Sequence, residues 1–184
     1  MIDLSVGLET ERLKLQPVSL RHAEGLYSAV VTSRGELLPW MPWARDPTLD
    51  GNRLYTEKAS TDWKEARAYH FALVGRETGL VLGVAGLNRG DASTFELHYW
   101  IRSDHAGRGL TTEACTALLD WAVHALGATT FTLWAGRANA PSRRVAEKLG
   151  FTDTGPLAWE PEGGFGTFPA HSYELSPSAS RRSA

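Results

Sequence analysis

A single cysteine, Cys115, leaves no partner for an internal disulfide and no material for a multi-cysteine metal site. It falls within an apolar helical pattern, which predicts a buried, inert thiol. Charge of one sign is also scarce: 19 basic against 21 acidic residues give a net charge of −2, so the footprint of a nucleic-acid or anionic-lipid partner is missing. No apolar run approaches the roughly 20 residues that a membrane span needs. The opening Met1-Ile2-Asp3-Leu4 lacks the basic and apolar regions of a signal peptide. A cytoplasmic protein without a membrane or a metal is the expectation. What remains is ordinary in composition: 42% hydrophobic and 22% charged residues, as in soluble globular domains. At this length about 70% of the unfolded surface can be buried in one domain. That domain is expected over residues 1–175, with 176–184, small and polar, as a disordered tail.

Periodicity orders the elements. Leu13 and Leu15 alternate with polar neighbours, as in a half-buried strand. Ser19 can cap a helix to about Ser33, and Pro39 and Pro42 then forbid one. A second helix is expected from about residue 47 to 67. Strands are expected over 69–75 and 80–87, joined by a turn that ends in Gly79, and a third follows Gly90. Leu110, Ala114, Ala117, Leu118, Trp121, Ala122 and Ala125 make one apolar helical face, which Gly127 ends as a left-handed cap. A strand over 130–135, a short helix opened by Asn139-Ala140-Pro141-Ser142 and two strands around a hairpin loop at 160–166 complete the chain. The sum is an α+β domain, with about seven mostly antiparallel strands flanked by about four helices.

The most informative stretch runs from Glu96 to Ala114. It reads as a strand, a turn bearing Gly107 and Gly109, and the first turn of a helix. Helix N-termini leave backbone N–H groups unpaired, and those groups and the helix dipole both favour negative charge. A phosphate-bearing cofactor is therefore indicated. Two common alternatives fail: Thr112 stands where a dinucleotide fingerprint needs its third glycine, and no Walker A lysine follows a glycine anywhere.

Four separated pieces resemble the GNAT N-acetyltransferase superfamily, in its RimJ/RimL-type branch. They are Thr10-Glu11-Arg12-Leu13-Lys14-Leu15, Leu38-Pro39-Trp40-Met41-Pro42-Trp43, the Glu96–Ala114 stretch, and the run from Asn139 through Ser142 to Phe151. The resemblance spans about residues 8–175 and implies a GNAT-like sheet, acetyl coenzyme A as donor and a primary amine as acceptor. It implies that Trp100, Ile101, Ala106, Gly107, Arg108, Gly109, Leu110, Thr111, Asn139 and Ser142 hold the donor. Two positions depart from the superfamily pattern: Asp104 and Ala106 stand where Gln or Arg is usual. The branch often dimerises, which leaves a homodimer open.

For the chemistry, an ammonium must lose a proton and a leaving thiolate must be stabilised. Alternation puts Glu96, His98 and Trp100 on one strand face and Phe95, Leu97, Tyr99 and Ile101 on the other. The resemblance implies that Glu96 is the base, where a structural ion pair is the alternative. His98 has the better-matched intrinsic pKa. Ser142 matches the branch's serine, a donor to the thiolate, and Ala146 stands where many GNAT enzymes carry a tyrosine acid. Trp40 and Trp43 fall in a loop that the family turns towards substrate, although core plugs would read the same. His70, Trp134, Trp159 and His171 carry no motif, and core or surface roles suffice for them. Three functions stay open: acetylation of a protein or peptide N-terminus, acetylation of a small amine such as a polyamine, amino acid or aminoglycoside, and an acyl-coenzyme-A sensor without turnover.

Overall fold

A computed structural model describes residues 6–160 and 167–177. Residues 161–166 of the expected hairpin loop and 178–184 of the expected tail lie outside the described residues. The chain runs β1 (Leu8–Glu9), β2 (Leu13–Pro17), α1 (Ala23–Leu37), α2 (Leu49–Lys64), β3 (Ala68–Gly75), β4 (Val81–Arg89) and β5 (Thr94–Ile101). It continues with α3 (Leu110–Leu126), β6 (Thr130–Gly136), α4 (Ala140–Leu149), β7 (Thr152–Trp159) and β8 (Phe168–Leu175). One sheet orders them β1-β2-β3-β4-β5-β6-β8-β7. Every neighbouring pair is antiparallel except β5 and β6.

The α+β reading holds, with four helices and eight strands among the described residues. The added strand, β1, is two residues long and pairs Leu8 with Leu15 and Glu9 with Lys14. Two residues carry no periodicity to detect. Helix α1 runs four residues past its expected end at Ser33, because nothing stops it before Pro39 and Leu37 is buried. Gly127 ends α3 at φ 65°, the left-handed cap expected of it.

Alternation along the strands feeds two cores. Phe95 and Leu97 of β5 join Tyr69, Phe71, Leu87, Leu118 and Phe131 beneath α3 and α4. Trp100, from the other face, joins Val84, Leu26, Val30 and Ala59 beneath α1 and α2. Cys115 is fully buried in the first core, and burial raises its thiol pKa, so it is an inert apolar residue.

Candidate active site

Strand β5 has two unlike edges. On one, seven residues from Phe95 to Ile101 pair with β4. On the other, pairing with β6 covers only Thr94, Phe95 and Glu96, opposite Thr130, Phe131 and Thr132. Past Glu96 the two strands splay, and a cavity of about 870 Å³ opens between them. Its lining runs from Ile101, Ala106, Gly107, Gly109, Leu110 and Thr111 at one end to Trp40, Trp134 and Trp159 at the other, with Glu96, His98, Tyr99, Trp100, Asn139 and Ser142 between.

The glycine turn is built for close approach. After a single 3-10 turn, Ser103–His105, Gly107 takes φ 74° and Gly109 φ 79°, left-handed values that β-carbons resist. Gly109 is the N-cap of α3 and no side chain caps it, so the first amides of the helix face the cleft end unsatisfied. A Cβ at Gly107 would meet nothing within 4 Å, so space for a phosphate is already there. The turn is moored from both sides. The buried hydroxyl of Ser33 accepts from the Ser103 N–H at 2.8 Å. Glu113, in the first turn of α3, accepts from Thr10 Oγ1 at 2.6 Å and from Arg12 Nε at 2.7 Å. Burial opposes ionisation of Glu113, but those donors hold its pKa below the usual value.

Asp104 and Arg108 are both bonded within the turn. Hydrogen bonds from Arg102 and His105 bring the Asp104 pKa down to about 2. Arg108 donates from Nη2 to the Asp104 carbonyl at 2.9 Å and does not line the cavity. The cleft therefore offers amides rather than the Arg108 guanidinium at its glycine end. Arg144 and Lys148 of α4 do line it, cations within the Asn139–Phe151 run to which the sequence reading gave no role.

At mid-cleft, Glu96 lies across from Asn88 on β4 and Thr132 on β6, where pairing ends. His98 lies two residues further, its ring edge-on to that of His70 with centroids 4.5 Å apart. Burial, and then His70, push the His98 pKa well below 6.5, so the imidazole is neutral. Its buried Nε2 has no hydrogen-bond partner among the described residues. Asn139 caps α4, its side chain accepting from the Ser142 N–H at 3.2 Å.

Tyr99 is the residue that sequence reasoning missed. Its hydroxyl donates to the Ser142 carbonyl at 3.0 Å and lies 3.0 Å from Ser142 Oγ. Burial raises its pKa above the usual 10, so the phenol stays protonated. The available signal was a polar tip on a strand face otherwise made of Phe95, Leu97 and Ile101, since a buried tyrosine hydroxyl needs a partner.

The two candidate tryptophans part company. Trp40 lines the cavity, whereas Trp43 does not and packs edge-on to Trp100 at 5.8 Å. Trp134 and Trp159, given only core or surface roles above, also line it. His70 is a half-buried partner of Tyr55 and Asn88, and His171 pairs with Asp153 at 2.8 Å.

An acetyltransferase (GNAT) domain family matches residues 12–152. The Bacillus subtilis (strain 168) protein named "Putative ribosomal N-acetyltransferase YdaF" is 28% identical over 152 residues, spanning 79% of this chain and 80% of its own. Among solved structures, RimL, a ribosomal L7/L12 α-N-protein acetyltransferase in complex with coenzyme A, aligns with a TM-score of 0.84 at 17% identity. That alignment covers 93% of this chain and 98% of RimL. The microcin C7 self-immunity acetyltransferase MccE, in complex with acetyl-CoA and AMP, aligns at 0.80 and 19% identity over 91% and 94% of the two chains. At such identities the structural likeness speaks for the fold.

Proposed function

The chain belongs to the GNAT acetyltransferase family, and on that premise we propose that it moves an acetyl group from acetyl coenzyme A to a primary amine, the α-amine of a protein or peptide N-terminus. One observation carries the reading: the β5 edge left unpaired after Glu96 leads straight to the uncapped amides of α3. An extended chain ending in a diphosphate fits that combination, bonding to the strand like an added neighbour and resting its anion on the helix. The RimL and MccE complexes, which hold coenzyme A and acetyl-CoA, support this assignment of the donor. Trp100, Ile101, Ala106, Gly107, Gly109, Leu110, Thr111 and Asn139 are the residues proposed to hold it, with Arg144 and Lys148 adding positive charge.

The thioester supplies an activated acyl carbon. The chain does the rest. Glu96 takes the proton of the incoming ammonium, directly or through a water. His98, neutral and of low proton affinity, shapes the pocket beside it. Backbone N–H groups on the free edge of β5 stabilise the charge that develops on the carbonyl oxygen. Ser142 Oγ donates a hydrogen bond to the departing sulfur. Tyr99 supports that step: a carbonyl only accepts, so with the phenolic proton on Ser142 O the serine donates to Tyr99. When the serine proton turns towards the cleft, the phenolic proton can swing to Oγ over the same 3.0 Å.

A protein acceptor is favoured over a polyamine or aminoglycoside by charge. Among the described residues Glu96 is the single carboxylate in the lining, which also holds Arg137, Arg144 and Lys148. With Arg144 and Lys148 given to the donor, the further ammonium groups of a polycation would meet Arg137 and no second carboxylate among the described residues, whereas one ammonium meets one carboxylate. The ribosomal acceptors named for YdaF and RimL point the same way. Incubation with labelled acetyl coenzyme A, a peptide library and a set of small amines tests the proposal. Label on peptide α-amines is the expected result. Label confined to small amines would transfer the activity to them, and tight donor binding without thiol release to any amine would make the protein a sensor.

A further inference from the structure

Beyond the splay, one face of the sheet is surfaced by rings. Leu133 and Tyr173 are register partners in the core beneath α4, so Trp134 and its partner Ser172 face the opposite side. Alternation along β8 puts Phe168 and Ala170 on that side too, and Trp159 pairs with Phe168. Helices α1 and α2, which lie on this side, pack on β3 and β4. Past β5 their place is taken by Trp134, Trp159 and Phe168, with ring centroids 6.4 and 6.3 Å apart in succession. Trp40 reaches over from the loop after α1 and lies on Gly136, where a Cβ would come within 2.7 Å of its ring. Trp134 is 39% exposed, a high value for so large an apolar group.

These four rings line the same cavity as Glu96. From their elements, Arg137 is the one charged residue in the lining among the described residues. Four separate segments thus converge on an apolar floor that begins where the proposed base stands. Isolated exposed apolar residues are commonplace, but a contiguous aromatic surface running into a polar cleft marks a recognition site.

We propose that this face is an acceptor subsite that takes an apolar side chain carried in the first two residues beside the reacting amine. The proposal rests on the reading of the cleft as an amine acetyltransferase. Rings give such a side chain dry contact area. A lysine there would be stripped of water beside Arg137, and an aspartate would leave the aromatic floor unused. The subsite acts on acceptor KM rather than on the chemical step, because the four rings carry no group that takes or gives the protons of the reaction.

The test uses the full chain, acetyl coenzyme A and peptides alike except for Phe, Leu, Lys or Asp at the first or the second residue, with thiol release as readout. The expected result is at least a tenfold preference in kcat/KM for Phe and Leu over Lys and Asp at one of these positions, expressed in KM. Trp134→Ala should erase the preference, leave the Lys peptide unchanged and keep kcat within twofold. Phe168→Ala serves as the second variant should Trp134→Ala not fold. A flat series overturns the subsite, as does a variant that lowers all peptides alike. So does a dimer that Trp134→Ala dissociates in sedimentation while the preference stays, since the rings would then be covered by a second copy. If no peptide reacts, 2-phenylethylamine against ethanolamine decides. A preference for the aromatic amine keeps the subsite and removes only the peptide reading, and equal rates or no turnover remove both.

Discussion

The two edges of β5 carry the same residues and do opposite work. Towards β4, seven register pairs are closed and the strand is structural. Towards β6, three pairs close and the remaining backbone is offered to a ligand. The difference is not one of side-chain chemistry, because Leu97, Tyr99 and Ile101 would suit a closed sheet equally well. It arises because β6 is joined in parallel through α3, whose N-terminus needs the glycine turn, while β4 arrives by a tight antiparallel turn. The candidate site is the place where the sheet stops pairing.

Glycines on the two sides offer the strongest way to break the contrast. On the closed side, Gly83 sits at φ 154° and a Cβ there would come within 2.2 Å of the Trp100 carbonyl oxygen. Gly83→Ala must push β4 off β5 and should cost about 3 kcal/mol or more, a fall of about 10 °C in Tm. On the open side, Gly107 has the strained φ of 74° but nothing near its Cβ position. Gly107→Val should cost about 1–2 kcal/mol of stability and weaken acetyl coenzyme A binding by about 100-fold, about 2.7 kcal/mol. Equal Tm losses for the two variants, or unchanged donor affinity by calorimetry for the second, would remove the contrast.

Chemistry should follow the same division. Glu96 stands at the last closed pair, and Glu96→Gln keeps its shape while removing its basicity. A fall in kcat of about 100-fold is expected, with the acid limb of the pH–rate profile lost. An unchanged profile would return Glu96 to the structural ion-pair role. A smaller effect, about tenfold on kcat with acceptor KM unchanged, is expected for Ser142→Ala, and a similar one for Tyr99→Phe. If the two hydroxyls act in series, Tyr99→Phe adds nothing in a Ser142→Ala background. Independent, additive losses would show that the 3.0 Å contact is only packing.

How far the sequence disclosed this follows from range. Alternation along β5, the caps at Gly127 and Asn139 and the glycine turn are local, and each was legible from a few neighbouring residues. The family resemblance added the donor and a GNAT-like sheet. The splay was invisible, because a missing pair between β5 and β6 leaves no mark on either strand. Tyr99 and Ser142 are 43 positions apart, and the Arg12–Glu113 mooring spans 101. Trp134 and Trp159 looked like filler because their shared face exists only once β8 lies between β6 and β7. Conversely, Trp43 sat in a suggestive loop and went to Trp100 instead.

The smallest effect tests what lies behind the cleft wall. His98 faces His70 on β3, whose other neighbours are Tyr55 and Asn88, with Asp62 and Lys58 of α2 close enough to bias its charge. Burial lowers both imidazole pKa values, His98 the more. In the unfolded chain each titrates near 6.5. Above that pH neither state gains a proton, so stability is full. Below it the unfolded chain binds protons that the folded one refuses, and stability falls as the pH drops. For one such group the loss between pH 7 and 5.5 is about 1 kcal/mol. His98→Asn should therefore flatten the Tm–pH curve by that share, whatever it does to Tm at pH 7.5, and His70→Asn should change it in the same direction but less. An unchanged slope for His98→Asn alone would mean that His98, which lines the cavity, is reached by water and protonates in place, so that the wall beside Glu96 is wet and His98 regains standing as the base.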